Sequence, residues 1–466
     1  MSTASVRSFG KQEIRNLTKV IESGNFAHHS GGFIDKFEKE FAEDFGAKHA
    51  IAGATAMLLM HAIPGAIGAG AGDEIICDPV VQFHGIAGLH GNVVPVWADI
   101  RKDNFLLDPK AVEKRITKRT KGIWVTHLWG FPAEADKLRR IADKHGIYLI
   151  EDCAHAMFLD YKGKYVGNWG HIGTFSFNMG KHLGTGEGGM AITNDDSLNH
   201  ELRKRIIFGE SPPVLASNYR MTEFSAAVGV VQLKKVPRYL EEYRKGKLHL
   251  DKVVDECSWL DRRALPKGAG TSPYQYACIF RGDKKGYSAR ALMNALQACG
   301  GEGNYRFGLG FTQRPAYQYD FFRAPRAYGD KGCPYNCHLY KGKVDMSDGL
   351  CPVAEDVIPR LVTTGNMVRA SVMKKKASIL KRAIQMVEAG KAPHDTYSDV
   401  QLAVLDIVQS LQPVGPARVT KELAKKGTEL SSAAVLEVME ALRSGFPRKL
   451  SHAGPERFAY HDLTQD

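Results

Sequence analysis

The chain has 466 residues, of which 44% are hydrophobic and 24% charged, so it can bury a large core as a soluble globular protein of two or three domains. No uninterrupted apolar run reaches the ~18 residues of a membrane span, and the opening MSTASVRSFGKQEIRN lacks the apolar core of a secretory signal, so a cytoplasmic protein with no membrane partner is expected. The formal net charge of +12 admits nucleic acid, and equally an anionic cofactor or phosphorylated substrates; the eight cysteines are scattered, and CPYNC at 333–337 has no second matching pair, which favours free thiols over a metal site.

Residues 11–23 and 31–46 carry helical patterning on either side of a polar loop. In the second, Phe33, Phe37, Phe41 and Phe45 recur every four positions and mark one core-packing face. His49–Ile51 reads as a strand, and GATAM starts a helix running to about Ala69. A strand, small residues and a helix start together make a backbone anion site, because the first N–H groups of a helix lack internal partners. Glu74–Cys77, Val93–Trp97 and Gly122–Val125 follow as strands, with a helix at Pro109–Arg115. Ala133, Leu138, Ile141 and Ala142 are then spaced for one buried helix face. This alternation predicts a mostly parallel sheet with helices on both faces.

The stretch Glu151–Asn194 organises the rest. The apolar run Ile147–Ile150 reads as a buried strand whose C-terminal end delivers Asp152 and His155 to a cleft. Ile172–Phe177 reads as a further strand, and Ser176 precedes Lys181 by five positions. Glycines 184, 186, 188 and 189 let the backbone turn before the strand Met190–Thr193. A carboxylate at a strand end, a lysine after a later strand and a phosphate-binding serine suit pyridoxal phosphate chemistry. The lysine amine must lose its proton to bond the aldehyde, and the carboxylate keeps the pyridine nitrogen protonated. Taken singly, each has a plainer reading, as a solvated loop lysine or a helix-capping aspartate.

Together, EDCAHA, SFNMGK and GEGGMAITND resemble the signature segments of the DegT–DnrJ–StrS family of pyridoxal-phosphate sugar aminotransferases, and the resemblance spans roughly residues 10–390. It implies an α/β fold type I transferase, with a large domain over 1–240 and a smaller α+β domain over 241–390. It implies that Lys181 binds pyridoxal 5'-phosphate, that Asp152 maintains the ring as electron sink, and that His155 lies near the ring oxygen. Thr55, Ala56 and Ser176 would hold the phosphate, with Ala54 replacing the family's customary glycine. Phe83 best matches the aromatic that stacks on the ring, although Gln82 and His84 depart from the commoner pattern and an ordinary core role for Phe83 stays open. His127–Gly130 resembles the family's His-x-x-Gly near the cofactor, where a lone histidine is more often structural.

SNYRM at 217–221 resembles the family's Asn-Tyr-Arg-Met segment, whose asparagine reaches the phosphate of the partner subunit. Asn218 is therefore the candidate, with Arg220 a supporting or substrate-binding cation, and a homodimer with shared active sites is implied. Some relatives are dehydratases with histidine in place of the lysine, and Lys181 argues against that activity. The implied reaction takes an amino group from glutamate or glutamine to a keto sugar, a nucleotide-linked keto sugar or a cyclitol ketone.

The family does not account for the tail. Residues 391–400 read as a linker and 401–466 as a small winged-helix-like domain, with PRKLSHAGPERFAYH as a two-stranded wing. Residues 401–466 hold eight Lys or Arg and eight Asp or Glu, and Glu437 and Glu440 oppose Arg443 in the would-be recognition helix. Phosphate binding needs a cationic excess, so protein–protein contact is favoured over nucleic acid. The alternative function is a cofactor-binding regulator with the tail as its output.

Overall fold

Six parallel strands and one antiparallel strand make up a seven-stranded sheet. The computed structural model describes residues 5–27, 31–207, 214–301, 303–309, 312–323 and 331–393, then 403–404, 407, 416–426, 428–432, 434–436, 438–439, 448–452 and 458–462. The strands are β1 (His49–Gly53), β2 (Glu74–Cys77), β3 (Val94–Trp97), β4 (Thr120–Thr126) and β5 (Tyr148–Asp152), then a short hairpin β6 (Asp160–Tyr161) and β7 (Lys164–Tyr165), then β8 (Ile172–Ser176) and β9 (Gly189–Thr193). The sheet order is β1-β9-β8-β5-β4-β2-β3, and β9 alone runs antiparallel to both its neighbours. The mostly parallel sheet expected from the alternating pattern is thus observed.

Helices α1 (Lys11–Ser23), α2 (Phe33–Phe45), α3 (Ala56–Ala66), α4 (Phe83–His90), α5 (Pro109–Arg115), α6 (Ala135–His145), α7 (Asp196–Ile206) and α8 (Glu223–Asp255) complete this part. Alternate residues of β1 enter different cores: Ile51 joins Leu59, Ile63, Trp97 and Trp124, whereas Ala50 and Ala52 join the phenylalanines of α2. Phe37 and Phe41 are fully buried against Phe175 and Phe177, as the four-residue spacing predicted.

The expected boundary at 240/241 falls inside α8. That helix is 33 residues long and runs through Pro237 without a break. Its first half packs Ala226, Val230, Leu233 and Tyr239 under the large sheet, and its end packs Leu250, Val253 and Val254 under a second sheet. The second sheet is antiparallel, in the order β10 (Leu260–Arg262), β11 (Gln275–Phe280), β13 (Leu361–Gly365), β12 (Arg306–Phe307), and is backed by α9 (Ala289–Ala298) and α12 (Ala370–Glu388).

A second departure concerns residues 309–358, expected within the smaller domain. Tyr317, Phe322, Tyr335, Tyr340 and the helices α10 (Asp320–Arg323) and α11 (Pro352–Val357) pack into the core of the large sheet. Phe322 lies 5.0 Å from Trp97, and a Cβ on Gly85 would come 2.6 Å from the Phe322 ring. Apolar burial against β3 and α4 outweighs chain proximity to β12.

In the tail, Val404, Ile407, Val419, Leu423, Val435 and Met439 form a separate small core around α13 (Pro416–Lys425). The expected hairpin is present as β14 (Arg448–His452) paired antiparallel with β15 (Phe458–Asp462). Glu437, Glu440 and Arg443 lie outside the described residues.

Candidate active site

Asp152 ends β5 at the C-terminal edge of the sheet, where open α/β sheets place their ligands. Its carboxylate is 3% exposed, and each oxygen has one donor from the chain. Ala154 N–H donates to Oδ1 over 2.9 Å, and His84 Nε2–H donates to Oδ2 over 3.2 Å. Burial alone would push this acid up, but the His84 hydrogen bond and charge, the Ala154 N–H and His155 bring it down to about 2. Asp152 is therefore a buried anion across the whole neutral range, with lone pairs to spare for a further donor.

Lys181 stands in the loop between β8 and β9, facing that anion. Desolvation pushes its amine down to about 8, against the pull of the Asp152 charge. Its Nζ lies 4.9 Å from the centre of the Tyr274 ring. The loop is fixed at both sides of the lysine. Arg7 donates from one nitrogen to the Lys181 carbonyl over 2.8 Å and to the Met179 carbonyl, and His182 Nε2 donates to the Pro273 carbonyl over 3.1 Å. The second bond draws Tyr274 alongside.

His155 stacks on that same Tyr274 ring, with centroids 4.1 Å apart and planes 19° from parallel. Burial first, and the Lys181 charge second, hold it well below the ordinary imidazole range, so it is neutral. Its Nδ1 is buried with no hydrogen-bond partner among the described residues. A neutral imidazole with an unsatisfied nitrogen, beside a nucleophilic amine and an ionised carboxylate, fits a ring that bears an aldehyde, an oxygen and a basic nitrogen.

Three strand termini meet beside the start of α3. Ser176 closes β8 and pairs with Gly189, which also pairs with Gly53 at the end of β1. A Cβ on Gly189 would lie 2.5 Å from the Ala56 nitrogen, so only glycine lets β9 approach the start of α3 this closely. Thr55 caps α3 by accepting the Leu58 N–H over 3.1 Å, which leaves the Ala56 and Met57 N–H groups without acceptors inside the helix. Thr55, Ala56 and Ser176 thus lie together at the N-terminus of α3, where unpaired N–H groups suit an anion.

Three expectations fare differently. Phe83 is 40% exposed at the first turn of α4, so its plain core reading does not hold. Asn218 is exposed and accepts from Arg220 Nε over 2.9 Å. The segment passes the start of α3, since the Tyr219 carbonyl takes the Ala54 N–H over 2.7 Å, but Arg220 faces a small pocket with Ile34, Glu38 and Arg203. His127 is structural: its Nε2 meets Glu151 over 2.8 Å and its Nδ1 accepts the Ala133 N–H over 3.1 Å. His127, Glu151 and Cys153 offer ligand atoms within 4.8 Å of one another, but Glu151 is already held by the Gly167 and Gly170 N–H groups. All eight cysteines are free thiols.

Sequence reasoning missed His84, Tyr274, Arg7 and Arg263. His84 was legible only as a departure from a pattern. Arg263 is buried, its guanidinium carbon 4.0 Å from the centre of Phe105 and 4.2 Å from that of Phe131, and it donates to the carbonyls of Asn104 and Leu128.

Residues 7–331 match the model of the DegT/DnrJ/EryC1/StrS aminotransferase family. Over 327 residues the chain is 34% identical to the L-glutamine:2-deoxy-scyllo-inosose aminotransferase of Streptomyces kanamyceticus, covering 65% of this chain and 74% of that protein. Over 247 residues it is 35% identical to the GDP-perosamine synthase of Vibrio cholerae, covering 51% and 66% respectively. Among solved structures, 3-amino-5-hydroxybenzoic acid synthase superposes with a TM-score of 0.69 at 24% identity, covering 82% of this chain and 98% of that one. An aminotransferase from Psychrobacter cryohalolentis gives a TM-score of 0.68, also at 24% identity, covering 82% and 98%. At that identity the two structures speak for the fold.

Proposed function

The chain belongs to the DegT/DnrJ/EryC1/StrS aminotransferase family and is a pyridoxal-phosphate-dependent enzyme that aminates keto sugars or cyclitols, and from that premise we propose how its own residues divide the work. The observation that carries the proposal is the desolvated Lys181 amine facing the Asp152 anion, with neutral His155 beside them. When bound, pyridoxal phosphate supplies an aldehyde for amine capture and a ring that takes up electrons from the donor's Cα.

Lys181 Nζ would hold the aldehyde carbon at rest and, once released from it, would carry the proton from the donor's Cα to that carbon, and in the second half from that carbon to the acceptor's. Asp152 holds a proton on the ring nitrogen. His155 Nδ1 would hydrogen-bond the ring oxygen. Thr55, the Ala56 N–H and Ser176 grip the phosphate, and Phe83 covers one ring face. Glutamine or glutamate is the amino donor, and the acceptor is a ring ketone.

The proposal extends to assembly. Ile14 and Ile21 lie on one side of α1 at 64% and 63% exposure, and Leu215 is exposed three residues before Asn218. These apolar groups support a homodimer in which Asn218 of one subunit serves the phosphate of the other, with Arg220 in support. The free cysteines support a cytoplasmic location, and among the described residues no helix is long and apolar enough to cross a membrane. The tail is assigned to protein contact as a winged-helix-like domain; Arg418 of α13 pairs with Asp320 of α10, which supports a docked module.

The test is the absorbance spectrum of the protein with pyridoxal phosphate, before and after glutamine or glutamate. A visible band that disappears with donor, and never forms in Lys181→Ala, is expected; turnover with a panel of nucleotide-linked keto sugars and cyclitol ketones then identifies the acceptor. A band that ignores every donor would favour the regulator, for which cofactor-dependent DNA retardation is the check. Absence of any band would overturn the reading.

A further inference from the structure

The carboxylate of Asp152 is bonded by a buried histidine whose other nitrogen, without a hydrogen-bond partner among the described residues, stands beside a second buried carboxylate. His84, the second residue of α4, is fully buried, and its imidazole lies flat against Trp124 at 5.4 Å between centroids and 4° between planes. Nε2 reaches Asp152 Oδ2 over 3.2 Å, and Nδ1 lies 3.6 Å from Asp78 Oδ2. Asp78, just past the end of β2, is 1% exposed and fixed by four donors. Val80 and Val81 N–H reach Oδ1 over 3.2 and 3.3 Å, while the Thr126 N–H and hydroxyl reach Oδ2 over 3.1 and 2.8 Å. The Thr126 hydroxyl oxygen also lies 3.4 Å from His84 Nε2.

Three parallel strand ends, of β2, β4 and β5, therefore meet in one buried polar chain: Asp78, Thr126, His84, Asp152. The imidazole cannot rotate without losing Trp124, and α4 cannot slide away, because Gly85 is packed under Phe322. A carboxylate with one oxygen tied to Ala154 N–H and the other to a fixed imidazole has a single orientation.

We propose that His84 is a positioning residue for the cofactor: it fixes the plane of the Asp152 carboxylate so that a free lone pair faces the pyridine nitrogen, and Asp78 with Thr126 fixes His84 in turn. This deepens the aminotransferase reading and rests on it. His84 touches neither substrate nor the reacting carbon; it acts through Asp152.

The experiment compares His84→Ala, His84→Phe and His84→Gln, alone and in Asp152→Ala. Phenylalanine keeps the stack on Trp124 and deletes the N–H; glutamine restores a donor at the Nε2 position. Apo-protein is titrated with pyridoxal phosphate, following the visible band and its pH dependence, and the single-turnover rate with glutamine is then read. For Ala and Phe we expect about tenfold weaker cofactor binding, a shifted band titration and a rate about tenfold lower with donor KM unchanged, as for loss of an outer-shell partner. Gln should recover most of each, and in Asp152→Ala the His84 substitutions should change binding less than twofold. Should Ala fail to fold, the Phe and Gln pair decides. Equal losses with and without Asp152, or wild-type binding and spectra in the Phe variant, would overturn the inference. A wild-type protein that binds no cofactor would instead overturn the aminotransferase reading.

Discussion

The Lys181 amine rests 4.9 Å from the centre of the Tyr274 ring, whose face also carries His155. The aromatic face and Asp152 both favour the cation, yet burial wins and the amine falls to about 8. The amine is neutral above that value, so the neutral fraction at pH 7 is about one tenth. The rate of pyridoxal phosphate incorporation into apo-protein should therefore climb from pH 6.5 and level off above about 8. A rate still rising steeply at pH 10 would place the amine at its ordinary value.

Asp152→Ala removes the acceptor of the His84 N–H and, in the proposed mechanism, that of the ring nitrogen. The half-reaction with glutamine should slow by at least ~10²-fold. Leaving the buried His84 N–H without its partner should cost about 1–3 kcal/mol, read as a lower midpoint in urea. A variant with full activity would remove Asp152 from the site.

Gly189→Ala tests the close approach of β9 to α3. With a Cβ 2.5 Å from the Ala56 nitrogen, the backbones must separate. The expected loss is about 1–3 kcal/mol of stability, and weaker binding of pyridoxal phosphate than of pyridoxal, because the phosphate cradle is what opens. Equal weakening of both ligands would place the phosphate elsewhere.

Arg263→Ala deletes a guanidinium clamped between Phe105 and Phe131 and frees two carbonyls. A loss of about 2–4 kcal/mol is expected. Lysine should not rescue it, since an ammonium cannot stack on two rings and reach both oxygens. Thermal denaturation of the apo-protein reads the effect directly.

Mixed dimers test the shared site. Lys181→Ala and Asn218→Ala subunits, each inactive or weak alone, should regain activity when combined. One of the two sites in the mixed dimer would then carry neither lesion. No recovery on mixing would place Asn218 and Lys181 of one chain in one site.

Much of the site could be read from the chain because its chemistry sits at strand ends. Asp152, Ser176 and Lys181 each follow a short apolar run that terminates at the sheet's edge, and the glycines after Lys181 flagged the turn. His84 was passed over because its meaning depends on α4 crossing back to a strand 68 residues later, which no local pattern encodes. Residues 309–358 were misplaced for a related reason: Phe322 and Tyr340 look like any aromatic until Trp97 and Glu74 stand opposite them. The boundary expected at 240/241 falls inside α8, because packing on two sheets carries one helix through Pro237 and past that point.

Arg7 ties the carbonyl of Lys181 to a residue 174 positions earlier. That contact makes the lysine loop answer to the opening segment. The opening segment is held on the other side by α8, where Gln232, Lys235 and Tyr239 meet Ser8, so Arg7 links the lysine loop to that helix. Trimming the first seven residues should therefore leave the fold intact and loosen the one loop on which the chemistry depends.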